Sequence, residues 1–193
     1  MADITVAVLA VQGAFIEHEK VFKELGVNCI ELRKKEDVLK DFDALVLPGG
    51  ESTVQGKLIR ELGMEDILKE KIKNGMPVLA TCAGMILLAT EIAGGEEAHL
   101  GLLPARVKRN AYGRQLGSFY TEEEFAGIGK IPMTFIRAPY VDEAYEGTNV
   151  LSVVDGKIVA VEYKNLLAIA FHPELNEDKR LHQYFLEKVR ISA

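Results

Sequence analysis

Within the first ninety residues, four short apolar runs alternate with stretches of helical period. A chain patterned that way is constrained to a parallel α/β sheet, because parallel neighbours need crossovers. The runs are 4–11, 29–32, 44–47 and 77–81. They are almost continuously apolar, the pattern of strands covered on both faces. Residues 14–25 repeat apolar side chains at Phe15, Val21, Phe22 and Leu25, and Gly26 is placed to end that helix. Residues 38–42 read as part of a short helix. A longer helix follows Glu51-Ser52-Thr53 to about residue 73, where Asn74-Gly75 closes it, and another covers about 84–93.

After residue 100 the pattern changes. Residues 100–120 mix β-branched and polar side chains without a helical period, and 133–136 read as a strand. Residues 150–154 and 157–163 flank Asp155-Gly156, a strong two-residue hairpin turn. A strand over 166–171 and a closing helix over 177–189 complete the chain. No repeat, low-complexity tract or linker interrupts it. The expected fold is α/β: one domain over residues 1–193, with a mixed, mostly parallel sheet flanked by helices and an antiparallel elaboration in the second half.

Composition narrows the function. A formal charge of −6 argues against a dedicated nucleic-acid binder, which usually shows a basic stripe. Two cysteines, Cys29 and Cys82, are too few for a disulfide framework. The N-terminus carries Asp3 instead of a basic region, unlike a signal peptide. The apolar stretch 78–89 is shorter than the ~18–20 residues that span a bilayer. A cytoplasmic protein with no membrane or nucleic-acid partner is expected.

Three segments can carry chemistry. Ala80-Thr81-Cys82-Ala83-Gly84 sits where a buried strand turns into a helix. Small residues two before and two after the thiol suit the tight backbone of a nucleophile elbow. A helix N-terminus there favours thiolate. The plain alternative is a buried structural cysteine, which Cys29 fits well. His172-Pro173-Glu174 follows the last predicted strand. Residues i and i+2 on extended backbone share a side, so the carboxylate can fix the imidazole tautomer and leave the other nitrogen as a base. A surface histidine beside a solvated acid is the alternative. His18, His99 and His182 fall on predicted helices or loops without such a partner. If the last strand neighbours the Cys82 strand, a Cys-His-Glu triad forms across strand ends.

Pro48-Gly49-Gly50-Glu51-Ser52-Thr53 is the third. Two glycines let backbone N–H groups approach a ligand, as an oxyanion hole with the N–H of Ala83 or as a phosphate cradle. The loop lacks the Lys-Ser/Thr ending of a P-loop, and a plain turn with a helix cap also fits. Arg109-Asn110-Ala111-Tyr112-Gly113-Arg114-Gln115 and Ile136-Arg137-Ala138-Pro139 supply arginines, either carboxylate clamps or solvated surface. Glu122-Glu123-Glu124 reads as a solvated face.

Together the elbow, the histidine triplet and the glycine loop resemble the class I, triad-type glutamine amidotransferases. More narrowly, the chain is similar to the glutaminase subunits of pyridoxal 5′-phosphate synthase. Gln12-Gly13, Thr81-Cys82-Ala83-Gly84, the glycine loop, both arginine motifs and Phe171-His172-Pro173-Glu174 carry that resemblance in order, from about residue 4 to 185. The resemblance implies a flavodoxin-like glutaminase without cofactor or metal. It would pass ammonia from L-glutamine to a barrel-shaped synthase subunit in a large ring-shaped hetero-oligomer.

Carried over by position, Cys82 is the nucleophile, His172 the acid/base and Glu174 the orienting carboxylate. Gly50, Glu51, Ser52, Arg109, Ile136 and Arg137 contact glutamine, and Gly50 and Ala83 form the oxyanion hole. Gln12 lies near that hole and the partner interface, and docking is expected to order the Gly49-Gly50 peptide. Ala80 stands where the family often has Gly, and Ala111-Tyr112 where Ser-Phe is common. Alternatives are the glutaminase of another synthase, such as that of histidine biosynthesis, a cysteine peptidase or stress protein of similar sheet, and a non-catalytic binding module.

Overall fold

The computed structural model describes residues 3–109 and 117–192. Its first half contains β1 (Thr5–Leu9), α1 (Phe15–Glu24), β2 (Asn28–Leu32), α2 (Lys35–Val38), β3 (Ala44–Leu47), α3 (Ser52–Glu61), α4 (Glu65–Lys73), β4 (Val78–Thr81) and α5 (Ala83–Leu88). The second half adds β5 (Ala89–Ile92), β6 (Leu103–Lys108), β7 (Ser118–Phe125), β8 (Gly129–Ile136) and β9 (Tyr140–Ala144). It ends with β10 (Asn149–Val154), β11 (Lys157–Tyr163), β12 (Leu166–Ile169), a 3₁₀ turn at Pro173–Leu175, and α6 (Arg180–Ser192).

The large sheet runs β2-β1-β3-β4-β12-β11-β9-β6-β5, with β10 also on β11. From β2 to β12 every pairing is parallel. β11 then pairs antiparallel with β12, β10 and β9, as expected of the elaborated half. β7 and β8 form a separate antiparallel hairpin. All residues of β3, β4 and β12 are buried, which is why those runs do not alternate with polar residues. Each buried Leu, Ile or Val there contributes about 1.5–3 kcal/mol. The Asp155-Gly156 hairpin forms with both residues at positive φ, 49° and 73°, as a type I′ turn requires. Among the described residues no helix is long and apolar enough to cross a membrane.

Four boundaries differ from the sequence pattern. The helix expected over 51–73 is two, because Gly63 takes φ 68° and its N–H and that of Met64 close back on Arg60 and Ile59. The helix expected over 84–93 stops at Leu88, since the N–H groups of Leu100 and Leu102 take the carbonyls of Leu87 and Leu88. Residues 89–92 then join the sheet beside β6. The short helix lies at Lys35–Val38 and not at 38–42, because Asp37 Oδ2 accepts the N–H groups of Arg33 and Lys34. The closing helix begins at Arg180, whose N–H donates to Asp178 Oδ1 at 2.9 Å.

Candidate active site

β4 lies between β3 and β12, with Ala80 opposite Leu47 on one side and Thr81 opposite Ile169 on the other. Three loops therefore leave the carboxyl ends of neighbouring strands side by side, the usual place for a site in an open α/β sheet. They carry the glycine loop, Cys82 and His172.

Cys82 has φ 49° and ψ −104°, a conformation that L-residues rarely adopt and that costs about 1–3 kcal/mol. Its N–H donates to Ile169 O at 2.8 Å, which ties the elbow to β12. Gly84 is the small residue behind it: a Cβ there would overlap the Leu47 carbonyl. The thiol sits 3.9 Å from Ile136 O. Ala83 opens α5, so its N–H has no acceptor within the helix.

His172 is fixed by its N–H to Thr134 O, 2.8 Å away on β8. Its Nδ1 lies 2.6 Å from Glu174 Oε1. The 3₁₀ turn brings the two together, where extended backbone was expected; Pro173 supplies the fixed φ that starts such a turn. Burial works against charge on His172, but the nearby Cys82 sulfur and the hydrogen-bonded Glu174 carboxylate outweigh it and raise the ring to about 10. Burial likewise disfavours the Glu174 carboxylate, and the rings of His18 and His172 more than offset it, leaving that acid below its ordinary value.

The glycine loop is held from several sides. Gly49 N–H donates to Thr81 Oγ1 at 3.1 Å, and Gly49 O accepts the N–H of Ala14 at 2.9 Å. Glu51 N–H donates to Gln12 Oε1 at 2.8 Å, and Gln55 Nε2 donates to Gln12 O and Pro48 O. A side chain at Gly49 would collide with the His172 ring. The glycine therefore permits close approach.

A cleft of about 910 Å³ opens over the thiol. Gly50, Glu51, Ser52, Ala83, Arg109, Ile136 and Arg137 line it together with Cys82 and His172. Glu174 stands behind His172, and Gln12 behind the loop. Arg109 pairs through Nε with Glu96 at 3.0 Å, while its Nη2 is buried without a hydrogen-bond partner among the described residues. Ser52 Oγ is in the same condition. Arg137 is exposed at φ 44°, and its N–H donates to Gly117 O. Asn110, Ala111, Tyr112, Gly113, Arg114 and Gln115 lie outside the described residues.

The sequence reading missed Thr81, Gln55 and His18. It gave His18 no acidic partner, yet His18 Nε2 lies 3.4 Å from Glu174 Oε2. The local signal was present: His18 shares the apolar face of α1 with Val21 and Phe22, three and four positions on. Thiol, imidazole, carboxylate, backbone donors and a guanidinium with one nitrogen unbonded among the described residues suit nucleophilic attack on a carbonyl of a substrate that bears a carboxylate.

The sequence matches the SNO glutamine amidotransferase family over residues 8–191. It is 61% identical over 184 residues to pyridoxal 5′-phosphate synthase subunit PdxT of Desulfitobacterium hafniense strain Y51, covering 95% of this chain and 92% of that one. To the subunit of the same name from Streptococcus pneumoniae serotype 2 strain D39 it is 54% identical, covering 94% and 95%. A crystal structure of a glutamine amidotransferase superposes with a TM-score of 0.91 at 48% identity, over 96% of this chain and 98% of that one. PurLQS from Thermotoga maritima shares the fold alone, with a TM-score of 0.66 at 16% identity over 100% of this chain and 97% of that one.

Proposed function

The chain belongs to the SNO glutamine amidotransferase family, and from that premise we propose that it is the glutaminase subunit of a pyridoxal 5′-phosphate synthase. It hydrolyses L-glutamine to L-glutamate and ammonia and supplies the ammonia to the synthase subunit. It works as one glutaminase domain in the cytoplasm, docked on a barrel-shaped synthase in a ring-shaped assembly. The observation that carries the chemistry is the Cys82–His172–Glu174 array at the elbow, with His172 Nδ1 2.6 Å from Glu174 Oε1.

The reaction follows as two acyl transfers. Cys82 Sγ attacks the carboxamide carbon as the thiolate, its proton already held by the His172 ring. The N–H groups of Gly50 and Ala83 face the developing oxyanion; one such donor is typically worth about 10²–10³ in rate. His172 gives its proton to the departing ammonia, then accepts one from the water that attacks the glutamyl thioester. Glu174 keeps the imidazole turned toward the thiol throughout. Arg109 Nη2, buried and without a hydrogen bond among the described residues, takes the substrate α-carboxylate. Glu51, on the same cleft, supplies a negative charge for the α-ammonium, and Ser52, Ile136 and Arg137 complete the wall. Gln12, bonded to Glu51, connects that wall to the surface on which the partner docks.

The test is glutamate release from glutamine by the protein alone and with the synthase subunit, with Cys82→Ala as blank. Strong release with the partner, lost in the blank, is expected; a folded protein that releases none with a competent partner overturns the reading. Arg109→Ala is expected to raise KM for glutamine by about 10- to 100-fold with a smaller change in kcat, the loss of one charge-assisted hydrogen bond. Steady-state kinetics on the complex check this, and an unchanged KM removes Arg109 from the substrate site.

A further inference from the structure

Behind the triad lies a second layer of side chains that the mechanism above does not use. His18 on α1 and His182 on α6 are both wholly buried, 164 residues apart in sequence, with His18 Nδ1 3.1 Å from His182 Nε2. His18 Nε2 lies 3.2 Å from Thr81 Oγ1 and 3.4 Å from Glu174 Oε2. Thr81 Oγ1 in turn accepts the N–H of Gly49. One imidazole nitrogen thus sits between the triad carboxylate and the residue that holds the glycine loop.

The surroundings decide where the protons sit. His182 Nδ1 is buried without a hydrogen-bond partner among the described residues. A buried N–H left unpaired is rarer in folded proteins than an unpaired acceptor, so the proton of His182 belongs on Nε2, pointing at His18. His18 Nδ1 is then the acceptor, and its own proton is on Nε2, facing Glu174 Oε2 and Thr81 Oγ1. The reverse assignment leaves an N–H of His182 orphaned and turns a bare ring nitrogen of His18 toward the Glu174 carboxylate. Burial lowers the basicity of His18, and holds that of His182 down to about 3, so both rings serve as neutral donors.

We propose that His18 is a positioning residue for this glutaminase: its Nε2 bonds Thr81, which carries the Gly49 end of the oxyanion loop, and turns the same edge of the ring toward the second oxygen of Glu174, 3.4 Å away and without a hydrogen bond of its own among the described residues. Carboxylate and loop are thereby kept in register by a single ring on α1, with His182 fixing that ring's tautomer. The role rests on the glutaminase reading, yet it is carried by contacts which that reading does not use. Phe22, edge-on to His182 with ring centroids 5.1 Å apart, packs the pair from the core side.

The experiment compares His18→Phe, which keeps a ring and removes the donor, with His18→Gln, whose amide N–H reaches the place of Nε2. Two readouts are taken on the full chain. One is kcat and KM for glutamine in the presence of the synthase subunit. The other is the rate at which iodoacetamide alkylates Cys82, read by peptide mass, with Cys29 as slow internal reference because burial raises that thiol to about 11. We expect His18→Phe to lower kcat by roughly 5- to 10-fold, as for loss of a buried neutral hydrogen bond, with KM within about twofold. Alkylation of Cys82 should slow as well, and His18→Gln should recover most of both.

Equal losses in the Phe and Gln variants, or a Phe variant within twofold of the parent, overturn the proposal and leave His18 as packing. If His18→Phe does not fold, His18→Asn replaces it: its amide reaches only the Nδ1 position, so the same Gln-over-Asn recovery is required. Failure of the parent protein to release glutamate overturns the function instead, and the alkylation comparison still judges His18.

Discussion

Cys82→Ala should abolish glutamine hydrolysis, lowering kcat by roughly 10⁴-fold or more, because residues of a triad act as a unit and nothing else in the cleft can form the thioester. The fold and the affinity for the synthase subunit should survive. A companion variant tests the geometry. At φ 49° and ψ −104° alanine bears the same backbone strain as cysteine, whereas glycine is relieved of it. Cys82→Gly should therefore be more stable than Cys82→Ala, by about 1–2 kcal/mol once the greater freedom of glycine in the unfolded chain is subtracted. Urea titration of the two inactive proteins makes the comparison, and the opposite order would mean that the elbow carries no strain.

Glu174→Gln is the second large effect. The amide is nearly isosteric but cannot serve both neighbours: with its oxygen on His172 Nδ1, its NH₂ faces the N–H of His18, and turned round it offers a donor to His172. A loss of about 10²–10⁴ in kcat is expected, as when an orienting carboxylate in a triad is made neutral. Stability should change in a pH-dependent way. The His172 ring, raised to about 10, binds a proton in the folded protein that the unfolded chain releases near its ordinary value of 6.5. Its contribution is complete below about pH 6.5 and is lost as pH rises toward about 10. Thermal unfolding of the parent protein should show that decline, and Glu174→Gln should flatten it. An identical slope in both would separate the carboxylate from the basicity of the ring.

Much of this was legible because it is local. Continuous apolar runs gave the parallel strands, Asp155-Gly156 gave the hairpin, and the small residues around Cys82 gave the elbow, each decided within a few positions. Several of the missed features depend on distant atoms. The stop at Leu88 depends on Leu100 and Leu102 arriving from beyond it, while the break at Gly63 is local and was carried by the glycine itself. β7 runs through three successive acids, Glu122, Glu123 and Glu124, paired with Pro132, Ile131 and Lys130, and that charged run hides the strand period. His18 and His182 each lie on an amphipathic helix among charged residues, and only the packing of α1 against α6 makes them neighbours. Cys82 and His172 were paired conditionally, on the last strand lying beside the cysteine strand, and β12 does lie there.

That placement of β12 has a consequence for how the enzyme comes into being. β3 and β4 are made early in synthesis, but their neighbour β12 begins at Leu166, close to the end of the chain. Parallel pairing over such a separation closes a long loop and forms slowly. A nascent chain that has reached β11 already holds its thiol but has no base, no orienting carboxylate and no partner for the N–H of Cys82. Hydrolytic competence therefore waits for β12 and the turn that follows it, and chains that stop before them release no ammonia.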